Sequence, residues 1–337
     1  MRLHIISGLQ IGLGAFGFCV AFGAGAAALQ ESVSTCETKA GSIEVGRLST
    51  SLIDEASGIA MSPDGQSFFL INDSGDKPRF FRTRLDGSNI EEFRVKESAE
   101  NGGGNWKPRD PEEIVVGPCP KGLVGDCVVL ADIGDNRDNR KSVQLNFVRL
   151  DELANPVTIR RKIIFKYPDG PRNAEAFAVV NSRYGVIVSK EQSHKSRESK
   201  PAGVYIVDFE TGLVARVAEW DVPGWVRDKG LSGLVTSMSV ASSGASVGAG
   251  SLRILLLTYR DAIELRVDTD ILTSPVWPPR PWSVRSRTIL KIDPLEQQEA
   301  ITYDKTATGF YYTTESPLAI LGVKYAAIRR VESMTCR

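Results

Sequence analysis

Histidine is scarce in this chain, which has 2 histidines among 337 residues. His4 lies in the apolar N-terminal stretch described below, so only His194 remains in the rest of the chain. A zinc site built from several histidines is therefore excluded, and a Ser-His-Asp triad would depend on one residue of a polar loop. Any catalysis must instead rest on carboxylates, lysine, arginine or a bound metal.

The chain also lacks an excess of charge of either sign. Lys and Arg number 41, Asp and Glu number 41, and the formal net charge is zero. Proteins that bind nucleic acid or anionic membranes through charge carry a clear basic excess. We therefore expect no nucleic-acid partner, and we expect the ligands to be small molecules or other proteins.

Residues 1–28 have the composition of a secretory signal peptide. Arg2 is followed by an apolar stretch that ends in the small residues Ala24–Ala28, as at a signal-peptidase cleavage site. A retained membrane anchor is the alternative, although no second apolar span follows it. We expect a mature domain over residues 29–337, with no membrane span after cleavage, present as a periplasmic or secreted monomer.

Cysteine is nearly as rare as histidine, with 5 in the chain and 4 after the predicted signal peptide. An even number of cysteines in an exported protein indicates disulfides. Cys119 and Cys127 flank a short turn and are expected to pair. Cys36 and Cys336 lie at opposite ends of the mature domain, and their pairing requires that the termini meet. Free thiols are the alternative.

A carboxylate recurs about every sixty residues, each time at the start of a short apolar run. Glu112, Glu175 and Glu299 occupy this position, and half of the last interval predicts a degenerate copy near Ser237. In the first repeat the acid, Glu55, is displaced by two residues. A period of this size with strand-like content favours propeller blades over helical solenoids.

Each repeat contains four β-branched or alternating runs separated by Gly, Pro, Asp or Asn turns. The last repeat supplies only three such runs, and residues 41–48 offer the missing one. We therefore predict an all-β, single-domain β-propeller of five four-stranded blades, in which an N-terminal strand completes the last blade. A sixth blade is the alternative.

The first strand of each blade is expected to line the central channel, so the start of that strand and the end of the second lie on one rim. This places Glu112 near Asp132, Glu175 near Lys190, and Glu299 near Glu315. Clustered carboxylates raise one another's pKa values and need a cation or a basic partner.

Two strand ends are also rich in oxygen ligands, namely 72–76 and 132–140. Calcium is coordinated by six to eight such oxygens, whereas magnesium retains more waters. The predicted metal ligands are Asp73, Glu112, Asp132, Asp135, Asn136 and Glu175. Lys190 and Arg140 are the predicted catalytic residues, because with so little histidine any catalysis must use lysine, arginine, carboxylates or a metal. Ordinary turn chemistry is the competing explanation for these Asp and Asn residues.

Several of these segments resemble a family of exported bacterial β-propeller proteins described as phytase-like, or "esterase-like activity of phytase". The resemblance spans about residues 55–190 and rests on short motifs: Glu55-x-Ser57-Gly58-Ile59, Asn72-Asp73-Ser74-Gly75, Asp110-Pro111-Glu112-Glu113-Ile114, Asp132-Ile133-Gly134-Asp135-Asn136 with Arg140, and Tyr167-Pro168-Asp169-Gly170 followed by Asn173-Ala174-Glu175-Ala176. It implies a propeller fold, export, calcium and phosphomonoester chemistry. Pro111 stands where that family commonly has tryptophan, and the fourth repeat lacks its acid.

These observations lead to two functional hypotheses. The first is a metal-dependent phosphoesterase or esterase-like hydrolase, with calcium at an acidic channel rim. The second is a non-catalytic propeller that binds a ligand or protein, in which the cation is purely structural. The small number of basic residues near the predicted rim favours the second, because phosphate recognition usually recruits several Lys or Arg.

Overall fold

The structure is a computed structural model that describes residues 33–49, 51–193, 195–241, 251–270, 277–315 and 325–334. The predicted signal peptide, His194 and Cys336 lie outside the described residues. Among the described residues, no helix is long and apolar enough to cross a membrane.

The described part of the chain is almost entirely β. Its one short α-helix is α1 (Val222–Val226), and single 3-10 turns cover Ala99–Asn101, Leu150–Glu152 and Leu231–Gly233. In chain order the strands are β1 (Ser34–Lys39), β2 (Ile43–Ser49), β3 (Ala56–Met61), β4 (Ser67–Asn72), β5 (Arg79–Arg84), β6 (Glu91–Glu97), β7 (Pro111–Pro118), β8 (Asp126–Asp132), β9 (Val143–Arg149), β10 (Val157–Ile159), β11 (Arg161–Phe165), β12 (Ala174–Val179), β13 (Tyr184–Ser189), β14 (Ala202–Asp208), β15 (Val214–Trp220), β16 (Val235–Val240), β17 (Ser251–Thr258), β18 (Ala262–Asp268), β19 (Ser283–Lys291), β20 (Gln298–Tyr303), β21 (Phe310–Thr314) and β22 (Tyr325–Val331).

These strands form five sheets, which are the blades of a propeller. The first strands of the blades, β3, β7, β12, β16 and β20, contact one another in that order, and β20 contacts β3 again. They therefore form a closed inner ring around the channel. The five-bladed prediction is confirmed, and in each blade the inner three strands follow one another outward in chain order.

The ring is closed by the N-terminal strand, as the sequence predicted. β2 pairs with β22 in antiparallel register and is the outermost strand of the fifth blade. The alternative of a sixth blade is therefore wrong. A blade completed by strands from both ends of the chain leaves no unpaired strand at the junction.

Two outer strands were not predicted. β1 adds to the fourth blade in parallel with β19, and β10 adds to the first blade in parallel with β6. Each is contributed by a segment from a neighbouring part of the ring and covers an edge that would otherwise be open. Because both strands are short and mostly polar or mixed, they have no strong apolar alternation for a sequence reading to detect.

Apolar side chains pack between adjacent blades. Phe69 and Ile71 of β4 pack with Val128 and Leu130 of β8, and all four are almost fully buried. Each buried aliphatic or aromatic side chain contributes roughly 1.5–3 kcal/mol to stability. The predicted Cys119–Cys127 disulfide is confirmed, with a Cα–Cα distance of 4.9 Å across the β7–β8 turn.

The inner strands share one irregularity. Each has a β-bulge near its first residue, where two residues face one on the second strand. The bulged residues are Ser57, Glu112, Glu175, Thr236 and Glu299. Bulges re-aim side chains at barrel and channel mouths. The carboxylate repeat of the sequence is therefore a bulge repeat, and the fourth copy is Thr236, one residue before the expected Ser237.

Candidate metal centre at the acidic rim

The bulges lie at the edge of the ring where the inner strands begin, which we call the acidic rim. Two bulged residues carry hydroxyls that link neighbouring strands: Ser57 Oγ donates to the carbonyl of Pro111 at 3.1 Å, and Thr236 Oγ1 to that of Gln298 at 3.0 Å. The other three are the buried carboxylates Glu112, Glu175 and Glu299. The rim thus has two positions bonded to the backbone and three acidic positions.

A second ring of functional side chains lies opposite the bulges. It consists of the residue that follows the second strand of each blade, because that strand ends beside the bulge. These residues are Asp73, Ile133, Lys190, Tyr259 and Glu315. Four of the five are polar or charged. Each blade therefore contributes two residues to the rim, the bulged residue of its first strand and the residue that follows its second strand.

Three carboxylates of the rim form a compact cluster. One oxygen each from Asp73, Asp110 and Glu112 lies within 4.8 Å of the others. Asp73 follows β4, Asp110 precedes β7, and Glu112 is the β7 bulge, so the first and second blades supply the set. These separations are compatible with a shared cation.

The cluster contains a buried oxygen that has no protein partner. Glu112 is 2% exposed, and within the described residues its Oε1 accepts no hydrogen bond. The backbone of Gly134 lies beside it, because a Cβ there would be 2.2 Å from Glu112 Oε1 and 2.6 Å from Asp110 Oδ2. Only glycine fits this approach. A buried carboxylate oxygen without a donor is costly unless a cation or a proton satisfies it.

Burial and mutual repulsion shift the titration of the cluster. Burial, together with the charges of Asp110, Glu299 and Glu55, raises the pKa of Asp73 to about 6. Burial also raises the pKa of Asp110, and burial and the charge of Glu175 raise that of Glu112. All of these shifts would be opposed by a bound divalent cation. An all-oxygen donor set of this kind suits a hard cation such as Ca²⁺.

Asp132, a predicted ligand, is placed outside this cluster. It is fully buried and forms an ion pair with Arg140 at 2.8 Å. Its oxygens also accept hydrogen bonds from the backbone N–H of Arg109 and Asp110, at 3.2 and 3.0 Å, and from Gln144 at 2.9 Å. With its acceptor sites occupied, Asp132 holds the segment that presents Asp110 rather than facing the cluster itself.

Arg140, predicted to be catalytic, supports the same loop. Its guanidinium is buried against Asp132 and donates to the carbonyl of Gly134 at 2.7 Å. Its backbone N–H donates to Asp135 Oδ2 at 2.7 Å. Asn136 is exposed and accepts a hydrogen bond from Asn173 at 3.2 Å. Of the six predicted metal ligands, the structure brings Asp73 and Glu112 into the cluster and places Asp132, Asp135 and Asn136 in the loop beside it.

Glu175, the remaining predicted ligand, belongs to a charge network around Lys190. Lys190 Nζ donates to Glu175 and to Tyr259 OH, the latter at 2.7 Å, and Tyr259 OH donates to Glu299 at 2.6 Å. Burial raises the pKa of Glu175, and the ammonium of Lys190 counteracts part of that effect. Burial alone would lower the pKa of Lys190, but the charge of Glu175 and the groups around it hold it above its ordinary value.

The network ends at a carboxyl pair. Burial, followed by the charge of Glu299 and a hydrogen bond to it, raises the pKa of Glu315 to about 10. Glu315 is therefore protonated near neutral pH and hydrogen-bonds to Glu299. The expected proximity of Glu175 to Lys190 and of Glu299 to Glu315 is thus observed.

Two site residues were not singled out from the sequence. Asp110 directly precedes a repeat strand, and Tyr259 follows the second strand of the fourth blade. Aligning the residue after each second strand would have found Tyr259, because it corresponds to Asp73, Lys190 and Glu315. Asp110 lies two residues before the bulge Glu112, as Glu55 lies two residues before the bulge Ser57, so aligning the repeats on their bulges would have marked it.

Comparisons with known proteins add little to this description. No family model and no curated protein matches the chain. Among solved structures, the aldose sugar dehydrogenase of Escherichia coli is 9% identical with a TM-score of 0.41, over 86% of this chain and 98% of that chain. The Neurospora crassa Pan2 WD40 domain is 9% identical with a TM-score of 0.39, over 88% and 98%. A chain of a nidogen/laminin complex is 12% identical with a TM-score of 0.40, over 76% and 71%. At these TM-scores the similarities carry no argument about function.

Proposed function

We propose that this protein is an exported, calcium-dependent phosphoric ester hydrolase whose active site is the acidic rim. The observation that carries the proposal is the cluster of Asp73, Asp110 and Glu112, in which the buried Glu112 Oε1 has no partner among the described residues. Export rests on the predicted signal peptide and is consistent with the Cys119–Cys127 disulfide, since disulfides persist in oxidising compartments.

In this proposal Asp73, Asp110 and Glu112 hold the cation, and Glu175 lies next to Glu112 as a further acidic group. A bound divalent cation would polarise a phosphoryl oxygen and lower the pKa of water. The protein contributes the fixed positions of its carboxylates. Asp132 and Arg140 hold the Arg109–Asp110 backbone, so the ligand-bearing segment is rigid before any cation arrives.

A cavity of about 430 Å³ adjoins the cluster and shares Asp110 with it. Arg109 and Arg137 also line it, and both are exposed. Neither guanidinium has an ion-pair or hydrogen-bond partner within the described ranges. Arginine recognises phosphate through paired N–H donors. We therefore assign phosphate recognition to Arg109 and Arg137, and we assign to the predicted residue Arg140 the positioning of the loop.

Lys190, the other predicted catalytic residue, lies in the adjoining network. Its ammonium is bonded to Glu175 and Tyr259. In the hydrolase it would keep Glu175 ionised and limit repulsion around the cation. Its raised pKa makes it a poor proton donor near neutral pH, so its role is electrostatic.

A specific observation favours a second function, that of a non-catalytic propeller with a structural cation. Both predicted catalytic cations, Lys190 and Arg140, are engaged in buried ion pairs. A rim whose charges are all satisfied internally, with a cation joining two blades, would be suited to stability and ligand binding. In this alternative Arg109 and Arg137 would bind an anionic ligand without cleaving it.

The test begins with thermal unfolding of the mature chain, residues 29–337, in EDTA and across a Ca²⁺ titration. A midpoint that rises and saturates indicates a native-state site. Hydrolysis of p-nitrophenyl phosphate is then measured with and without Ca²⁺. We expect Glu112→Gln and Asp73→Asn to lose both the Ca²⁺-dependent rise and the activity. Asp126→Asn, which changes a carboxylate far from the cluster, serves as the control.

The two candidate functions separate in this experiment. Ca²⁺ stabilisation without hydrolysis supports the structural cation. Ca²⁺-dependent hydrolysis that Arg109→Ala and Arg137→Ala weaken supports the enzyme. If Ca²⁺ and Mg²⁺ both leave the midpoint unchanged, the cation site is rejected and both candidates fail in their present form.

A further inference from the structure

A second cavity opens on the acidic rim, away from the carboxylate cluster. It has a volume of about 440 Å³, which lies in the range of small-molecule sites. Loops from the second, third and fourth blades and the segment entering the fifth contribute to it. Its floor is formed by Lys190 and Tyr259, and its walls include Asn136, Gln192, Leu231 and Gln297.

The side chains that line the cavity include both hydrogen-bond donors and hydrogen-bond acceptors. Asn136 Nδ2 is without a partner in the described ranges, because only its Oδ1 is bonded, to Asn173. Gln192 and Gln297 each donate through Nε2, to the carbonyl of Arg197 and to Glu315, so their Oε1 atoms remain as acceptors. Among the described residues, one donor and two acceptors without partners therefore line the same space. A hydroxyl group can satisfy both kinds, since it donates and accepts.

The charges of the lining argue against an anionic ligand. Lys190 is its one basic side chain, and Glu175 neutralises it. Of the two acidic residues in the lining, Glu191 lies 3.7 Å from Arg172, and Asp138 accepts a hydrogen bond from the backbone of Asn173. A phosphate or carboxylate would therefore meet no excess of positive charge here. This differs from the neighbouring cavity that contains Arg109 and Arg137.

The cavity also has an apolar side. Leu231 and Leu234 come from the turn that precedes β16, and Leu231 is 55% exposed. An exposed leucine at the edge of a polar cavity offers a surface for C–H groups. A ring that carries hydroxyls on its edge and C–H groups on its face matches this combination.

We propose that this cavity binds a neutral, hydroxyl-rich small molecule, either a sugar or a cyclic polyol. Its hydroxyls contact Asn136, Gln192 and Gln297, and its C–H face lies on Leu231. The site does not use the carboxylate cluster, so binding does not require a divalent cation. It is independent of the proposed hydrolase, because it stands even if no phosphoester is cleaved.

The experiment is calorimetric titration and saturation-transfer NMR of the mature chain with D-glucose, D-galactose, D-mannose and myo-inositol, in EDTA and in Ca²⁺. We expect at least one of them to bind in both buffers. Gln192→Met and Leu231→Ser are each expected to weaken binding about tenfold or more. Gln66→Met and Leu213→Ser are matched controls on other exposed turns and should bind as the parent chain does.

The outcomes separate this site from the cation site. Binding that persists in EDTA and is weakened by the two cavity variants, but not by the controls, supports the proposal. Absence of binding by all four compounds overturns it, as does binding that both cavity variants leave unchanged. Binding that occurs only in Ca²⁺ and is lost in EDTA also overturns it, because the proposed site does not use the cation. Because both altered residues are partly or largely exposed, thermal midpoints of the variants verify folding.

Discussion

At the scale of single residues, the acidic rim makes the folded state sensitive to pH. Burial and the charges of other carboxylates raise the pKa of Asp73 from 3.8 to about 6. Between these values the folded protein keeps a proton that the unfolded chain has lost. Raising the pH through this interval therefore favours the unfolded chain. In the proposed site a bound cation would oppose the effect, because it would bind the ionised carboxylates.

We expect the free energy of unfolding, measured in EDTA, to fall as the pH rises from 3.8 towards 6. Asp73→Asn should remove part of this fall, on the order of 2 kcal/mol after allowing for partial exposure. Urea unfolding at a series of pH values measures it, with Asp126→Asn as the control. An unchanged pH profile in Asp73→Asn would contradict the assignment, and added Ca²⁺ should flatten the profile of the parent chain.

At the scale of secondary-structure elements, a buried carboxyl group connects strands across the channel. Glu113 of β7 is fully buried, and its Oε2 accepts hydrogen bonds from Ser237 Oγ at 2.6 Å and Met238 N–H at 3.3 Å, both on β16. Ser237 Oγ in turn accepts from Ile301 N–H of β20 at 3.2 Å. Burial raises the pKa of Glu113 well above its ordinary value, despite these hydrogen bonds. Glu113 and Ser237 together thus join the second, fourth and fifth blades.

Ser237→Ala should destabilise the protein by about 1–3 kcal/mol, because it leaves a buried carboxyl oxygen and a backbone N–H short of a partner. The free energy from urea unfolding measures the effect. Ser283→Ala changes an exposed serine at the start of β19 and should have little effect. Equal stability of the two variants would show that the link across the channel contributes nothing measurable.

At the scale of the whole molecule, stability depends on closure of the ring. The fifth blade combines β20, β21 and β22 with β2 from the other end of the chain. Without β2, one edge of β22 would be open, and the first and fifth blades would lose a covalent and hydrogen-bonded connection. β1 lies at the outer edge of the fourth blade and does not take part in closing the ring. Removing β1 should therefore destabilise the fold less than removing β2.

Two truncated chains compare these strands. A chain that begins at Ala40 lacks β1 and should unfold cooperatively at a lower temperature than the mature chain. A chain that begins at Leu52 also lacks β2 and should lose cooperative unfolding. Calorimetry, with size-exclusion chromatography to detect aggregation, measures both. Two equally stable truncations would mean that closure by β2 does not hold the ring together.

The sequence by itself determined the repeat, the blade number and most strand positions. Those features depend on the alternation of apolar and polar residues and on turn residues, both of which are visible in short segments of the sequence. The same local logic predicted the Cys119–Cys127 disulfide and the neighbours Glu175 and Lys190, because both pairs join adjacent strands of one hairpin. The fourth repeat position is Thr236 rather than the expected Ser237, because the connecting segments of successive repeats differ in length, which a fixed period cannot anticipate.

Only the tertiary structure decided which side chains of the rim contact one another. Glu112, near the start of β7, and Asp132, at the end of β8, lie side by side in the second blade, yet Asp132 pairs with Arg140 whereas Glu112 lies in the cluster with Asp73 and Asp110. The parallel strands β1 and β10 were likewise decided by which edges the closed ring left open. The cluster joins the first and second blades, and β1 and β10 pair with strands of other parts of the ring, so these contacts depend on how the blades pack.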